Sequence, residues 1–258
     1  MALPITRLFC PVNKRELIIC PNTEELYGKA AERFAELAQQ AAQARGRFTV
    51  ALSGGSTPRG LYALLATAEY RERIPWSHVH LFWGDERCVP PDHPESNYRM
   101  VQESLLSKIA IPERNVHRMA GEKEPQIAAA EYEAELKNFF RLSEGALPRF
   151  DLILLGLGED GHTASLFPGS EALEDTEHLV VAICVEQLKT HRLTLTLPVL
   201  NNAAQVIFLV AGESKSAILK EVLRADPFSS NLPAAKVQPV TGGLTWMVAE
   251  DVAADLES

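Results

Sequence analysis

No part of this chain approaches the run of about 20 apolar residues that a membrane-spanning helix needs. The opening Met1-Ala2-Leu3-Pro4-Ile5-Thr6-Arg7 has no long apolar core of the secretory-signal kind, so a cytoplasmic protein is expected. Cysteine is scarce. Cys10, Cys20, Cys88 and Cys184 form no C-x-x-C pair, which indicates neither a zinc site nor a disulfide framework, and reduced thiols are the plain expectation. Positive charge is in deficit: 25 Lys and Arg against 34 Asp and Glu leave a net charge of −9. That balance argues against nucleic acid or an anionic membrane as partner. An anionic small molecule stays possible, provided cationic side chains are concentrated where it binds. Repeats, low-complexity tracts and linker-like stretches are also missing, so residues 1–258 are expected to form one domain.

What is present suits a folded α/β chain. Over 258 residues, 46% are hydrophobic and 23% charged, an ordinary balance for a sizeable core. Strand-like runs at 16–20, 48–52, 80–83 and 152–155 are followed by others at 179–185, 192–196, 205–210 and 244–248. Between them, Asn22 or Thr23 can cap a helix running to Ala44, and a helix from Pro58 carries Leu61, Leu64 and Leu65 on one face. Further helices are expected at 97–108, 124–142 and 212–223, with a short acidic one after the last strand; residues 84–97 and 226–239 read as loops. Alternating strands and helices imply a three-layer α/β/α fold with a mostly parallel, Rossmann-like sheet.

The most informative stretch is 151–168. Leu152-Ile153-Leu154-Leu155 suits a strand buried on both faces. Gly156, Gly158 and Gly161 then permit sharp turns, and Asp160 and His162 fall where a short helix, limited by Pro168, should begin. An acid–base pair is thereby set outside the carboxyl end of a strand, where open α/β sheets hold ligands. The three glycines satisfy G-x-G-x-x-G, but Asp160 would bring negative charge to a docking pyrophosphate and Pro168 cuts the helix short, so a dinucleotide site is rejected. A helix amino end beside His162 would disfavour imidazolium while Asp160 favours it, a balance that leaves a base usable near neutrality. The other six histidines lack such surroundings.

Ser53-Gly54-Gly55-Ser56-Thr57-Pro58 lies between a strand and a helix, with Thr57 able to cap and Pro58 suited to the first helical position. Exposed N–H groups at such a start bind phosphate, and without a Gly-Lys-Ser/Thr ending a nucleoside triphosphate is not the expected ligand. A tight turn with no ligand would read the same. Gly84-Asp85-Glu86-Arg87 directly follows a strand and offers a base, an orienting carboxylate and an anion clamp, or else a surface ion pair of little worth. Arg192 and Lys215 stand near expected element ends. Lys215 is in a first helical turn, where a cation is unfavourable unless an anion binds there too.

Together, residues 53–58, Gly84-Asp85-Glu86-Arg87 with Ser96-Asn97, and Gly156-Leu157-Gly158-Glu159-Asp160-Gly161-His162-Thr163-Ala164-Ser165-Leu166-Phe167-Pro168 resemble the 6-phosphogluconolactonase family over essentially the whole chain. The resemblance implies an α/β/α fold shared with glucosamine-6-phosphate deaminase and ribose-5-phosphate isomerase. It implies hydrolysis of 6-phospho-D-glucono-1,5-lactone, the second step of the oxidative pentose phosphate pathway, with no metal or other cofactor required. His162 would activate water, oriented by Asp160. Gly54, Gly55, Ser56, Thr57, Arg192 and Lys215 would hold the phosphate. Asp85, Arg87 and Asn97 would line the pocket, Arg87 facing either phosphate or carbonyl. Because a lactone is an activated ester, one base and an oxyanion donor suffice, and main-chain N–H groups of 158–163 are expected to be that donor.

A small-molecule substrate, no nucleic-acid or membrane partner, and a monomer or small homo-oligomer complete the expectation. The nearest rival is an amino-sugar-phosphate isomerase or deaminase. It would resemble this chain except that a Glu five residues after the histidine is replaced here by Phe167, which accepts no proton. A non-catalytic sugar-phosphate sensor would keep the phosphate loop and leave Asp160 and His162 idle.

Overall fold

Two apolar strand runs explain the architecture: every residue of Phe48–Leu52 and Leu152–Leu155 is buried, as strands covered on both faces must be. The computed structural model describes residues 7–9, 15–185, 190–254 and 256. The expectations attached to residues 1–6 and to Cys10 lie outside the described residues. In chain order the strands are β1 (Arg7–Phe9), β2 (Arg15–Cys20), β3 (Phe48–Leu52), β4 (Val79–Trp83), β5 (Asp85–Arg87), β6 (Val116–His117), β7 (Leu152–Leu155), β8 (Val180–Val185), β9 (Thr190–Leu195), β10 (Gln205–Val210) and β11 (Gly243–Ala249).

Eight of them form one sheet in the order β1-β2-β11-β10-β7-β3-β4-β6. All neighbours are parallel except β1 and β2, where Arg7 faces Ile18. With helices over its faces this is the expected α/β/α fold with a mostly parallel, Rossmann-like sheet. On adjacent strands β10 and β11 the rings of Phe208 and Trp246 stack with centroids 3.9 Å apart. The strand β1 and the position of the last strand between β2 and β10 were not legible in the sequence.

The long helix Thr23–Arg45 starts as read: Asn22 caps it by accepting from the Glu25 N–H at 2.8 Å, Glu24 and Glu25 occupy its first turn, and Gly46 ends it in the left-handed conformation. Some local expectations fail: a short helix, Pro233–Lys236, lies within 226–239, the helix read at 97–108 ends at Ser104, and three further misses bear on the site. The helix placed at Pro58 begins at Ser56, with Gly55 at its cap and no side-chain capping bond from Thr57. Residues 84–97 are not all loop, because Asp85–Arg87 pairs antiparallel with β9, and β9 pairs with β8, to make a second, three-stranded sheet. Nor does a helix follow β7. Residues 156–170 fold into successive turns, fastened by Gly158 N–H to His162 O (2.9 Å) and by reciprocal bonds between Thr163 and Leu166. Four glycines and a proline across these positions disfavour helix more than the Asp160 start signal favours it. Among the described residues, no helix is long and apolar enough to cross a membrane.

Candidate active site

Strand order decides where the loops meet. From β3 the chain proceeds outward to β4 and β6, then returns to β7 on the other side of β3 and continues to β10 and β11. The order therefore reverses between β3 and β7, and a crevice opens there beyond the carboxyl ends of the strands. A pocket of about 500 Å³ occupies it, walled by Ser53, Gly54, Gly55, Ser56 and Thr57 after β3, Asp85 and Arg87 on β5, residues 156–160, His162 and Ala164 after β7, Arg192 on β9, and Lys215 after β10. Ten of the eleven residues singled out from the sequence are brought together. Asn97 is the exception: it is 2% exposed, stands behind the wall, and gives its side-chain N–H groups to the main-chain oxygen (2.9 Å) and Oδ1 (3.3 Å) of Asp85.

His162 Nδ1 lies 2.5 Å from Asp160 Oδ1, and the same oxygen accepts the His162 main-chain N–H at 3.0 Å. Burial pushes the Asp160 carboxyl up, but the His162 N–H and the nearby ring outweigh it and hold the group below the usual aspartate range. A carboxylate at Nδ1 requires the proton there, so Nε2 carries the free lone pair. Gly158 is needed for a reason other than turning. A β-carbon on it would stand 2.0 Å from His162 Nδ1, so the ring occupies the space that a side chain would take. On its other side His162 meets the Phe167 ring, centroids 4.6 Å apart, and the Arg192 guanidinium lies 5.8 Å over that same ring.

The expected helix amino end beside His162 does not exist, and most of the expected oxyanion donors are already engaged. The N–H groups of Gly158, Gly161, His162 and Thr163 bond to His162 O, Gly158 O, Asp160 Oδ1 and Leu166 O. Carboxylate partners also prove not to be special to His162. His117 pairs with Glu135 at 2.6 Å and His178 with Asp175 at 2.9 Å, both away from the pocket. Location in the crevice, and not the pairing alone, distinguishes His162.

The cations come from three elements. Arg87 and Arg192 are direct cross-strand partners between β5 and β9, so Arg192 is inside its strand and not at an end. Burial pulls the Arg192 guanidinium below the ordinary arginine range, and the like charge of Arg87 adds to it while Asp85 opposes. Two guanidinium groups forced side by side favour an anion between them. Lys215 lies in a 3-10 turn, Glu213–Lys215, and burial lowers its ammonium, with Glu159 opposing. Three buried atoms of pocket residues, Ser53 Oγ, Arg87 Nε and Arg192 Nε, have no hydrogen-bond partner, but neither do Trp76, Trp83 and Trp246 Nε1 and Ser170 Oγ away from it, so these atoms do not single the pocket out. The helix Ser56–Leu65 adds main-chain N–H groups at its start, although Pro58 contributes none.

Glu86, read as one of two acids at the site, is turned away from it. Its carboxylate accepts from the N–H groups of Arg87 (2.8 Å), Asn97 (2.7 Å) and Tyr98 (2.7 Å), capping the Asn97–Ser104 helix, and burial raises its proton affinity despite those bonds. Sequence reasoning missed Ser165, whose Oγ donates to Asp85 Oδ2 at 2.7 Å, and Glu159, which lines the pocket and accepts from Ser214 Oγ at 2.7 Å. A single buried hydroxyl has no sequence signature, though Ser165 stands only three residues after His162. Ala164, between them, has φ +49, a conformation that costs an L-residue roughly 1–2 kcal/mol.

Fold and pocket together define an open α/β protein whose switch-point crevice sets a histidine–aspartate pair opposite a group of cationic side chains. The chain belongs to the glucosamine-6-phosphate isomerase/6-phosphogluconolactonase family, whose pattern matches residues 21–246. It is 45% identical over 213 residues to a 6-phosphogluconolactonase of Synechocystis, covering 82% of this chain and 86% of that one. The crystal structure of devB protein superimposes with a TM-score of 0.87 at 36% identity, over 94% of this chain and 99% of the other. A monomeric glucosamine-6-phosphate deaminase matches with a TM-score of 0.78 at 19% identity, over 92% and 98% of the two chains, which shows a shared fold.

Proposed function

We propose that this chain hydrolyses 6-phospho-D-glucono-1,5-lactone to 6-phospho-D-gluconate. The observation that carries the proposal is the His162–Asp160 pair facing a crevice whose other walls bear Arg87, Arg192, Lys215 and a helix amino end. Relatives named 6-phosphogluconolactonase support the choice of substrate. Water attacks C1 of the lactone while His162 Nε2 takes its proton, and Asp160, bonded to Nδ1, stabilises the imidazolium that forms. The addition compound collapses with breakage of the bond between C1 and the ring oxygen, and His162 returns the proton to that oxygen as it leaves as a hydroxyl. The product carboxylic acid then ionises and releases one proton to solvent. Gly54, Gly55, Ser56, Thr57, Arg192 and Lys215 hold the phosphate, far from C1, so that the ring ester is presented to the base. Asp85 and Arg87 complete the pocket, Arg87 serving the phosphate or the carbonyl oxygen.

Phe167 favours this reading over amino-sugar chemistry, since the face of His162 that it covers has no proton-accepting side chain. The reading carries with it a cytoplasmic protein of one folding unit, monomeric or a small homo-oligomer, without nucleic-acid or membrane partners; the net charge of −9 supports the last point. Freshly prepared lactone added to the protein in weak buffer tests it. Acid release well above the spontaneous rate is expected, with no ammonia from glucosamine 6-phosphate. Acid release at the spontaneous rate would overturn the proposal.

A further inference from the structure

Only two described non-glycine residues have positive φ, Arg141 and Ala164. Arg141 is a left-handed cap ending the Pro125–Phe140 helix, a common use of that conformation. Ala164 ends nothing. It forms the tip of Thr163-Ala164-Ser165-Leu166, closed by Leu166 N–H to Thr163 O (2.9 Å) and Thr163 N–H to Leu166 O (3.3 Å), and it lines the pocket two residues beyond His162. Strain of this kind persists only where surrounding bonds over-determine it. Here they are the Thr163 Oγ1 bond to Gly156 O (2.9 Å), the Ser165 N–H bond to Thr194 Oγ1 (3.2 Å), and the Ser165 Oγ bond to Asp85 Oδ2 (2.7 Å). Ser165 is fully buried, and its two bonds tie the turn after β7 to the small sheet through β5 and β9.

We propose that Ser165 is a positioning residue for the hydrolysis: its bond to Asp85 locks the left-handed turn at Ala164 and thereby fixes the stance of the His162 imidazole. The inference rests on the lactone-hydrolysis reading. Without the bond, Ala164 relaxes to negative φ and drags Thr163, whose neighbour is the base. Arg87, Arg192 and Lys215 stand on other elements and lose no bond in this change.

Ser165→Ala is expected to lower kcat by about ten- to a hundredfold, the scale of a small misplacement of a reacting group. Affinity for 6-phosphogluconate, measured by calorimetry, should stay within about twofold of the parent, since none of its anion contacts is removed. Adding Ala164→Gly to Ser165→Ala should recover most of the lost kcat, because glycine holds the turn without strain. Should Ser165→Ala fail to fold, Ser165→Cys, a weaker donor of similar size, with and without Ala164→Gly, makes the same comparison. A kcat within twofold of the parent, or a loss that Ala164→Gly leaves in place, overturns the proposal. Nitrogen-detected imidazole NMR separates it from the reading beneath it. The Nδ1 proton of His162 must shift in Ser165→Ala and return in the double variant even if the parent proves inactive on lactone, an inactivity that would sink the hydrolysis reading alone. An unmoved proton overturns the latch.

Discussion

The side chain of Asn97 fills the space in front of Gly54: a β-carbon on that glycine would stand 1.9 Å from Asn97 Oδ1. Asn97 is held there by Asp85, so it cannot simply swing aside. The phosphate-loop candidate thus takes its position from a helix some forty residues later in the chain. Gly54→Ala should displace the loop at a stability cost of about 1–3 kcal/mol. A rise in KM together with a lower Tm is expected, and a KM equal to the parent's would show that the loop does not hold the substrate.

Replacing the proposed base should act on turnover and spare binding. His162→Ala is expected to lower kcat by about 10²–10⁴-fold, after correction for spontaneous opening of the lactone. Asp160→Asn should also lower kcat, by up to about 10⁴-fold, by losing the partner that keeps the proton on Nδ1. Product affinity measured by calorimetry should change little in either variant. Unimpaired turnover in His162→Ala would remove His162 from the chemistry.

Lys215 gives a pH signature. Burial lowers its ammonium below the ordinary lysine range, and a bound anion favours the charged form. Affinity for 6-phosphogluconate should therefore be steady near neutrality and weaken as pH rises through the lowered value, earlier than an exposed lysine would allow. Lys215→Ala should weaken binding near neutrality and abolish this alkaline limb. Calorimetry across the range checks it, and a limb that survives in the variant belongs to another group.

Away from the site, Glu32 links two helices: its carboxylate accepts from both Arg73 Nη atoms (2.7 and 2.8 Å) and from Tyr70 Oη (2.8 Å). The Arg73 bonds, then that of Tyr70, pull it from 4.5 down to about 2. Since the unfolded chain takes up this proton at a higher pH than the folded one, the contribution to stability is whole above 4.5 and is lost as pH falls towards 2. The pair is largely exposed, so its worth is small, about 1–3 °C in Tm. Glu32→Gln should melt lower than the parent at neutral pH, by a margin that closes on acidification. A constant margin would assign the effect to packing.

The longer sheet strands were readable because apolar runs need no partner to be recognised, and Leu152–Leu155 is buried as its composition requires; the short β1, β5 and β6 carry no such run. Local hydrogen-bond competition was less legible. The turns at 156–170 satisfy their own N–H and C=O groups, which removes both the expected helix and most of the expected oxyanion donors. Glu86 and Asp85 are adjacent in sequence and opposite in use, one capping a helix and the other lining the pocket, because successive residues of β5 point to opposite faces.

The sequence alone determined the alternation of strands and helices, the glycine-framed Asp160 and His162 after a buried strand, and the stock of cations available for an anion. Those follow from periodicity, backbone permissiveness and charge, all local properties. Tertiary structure alone decided that Arg87 and Arg192 stand side by side, that Ser165 reaches Asp85, and that the Arg192 guanidinium lies over the Phe167 ring. These contacts join residues tens of positions apart through strand order and register, which are set by how the whole core packs and not by any one segment.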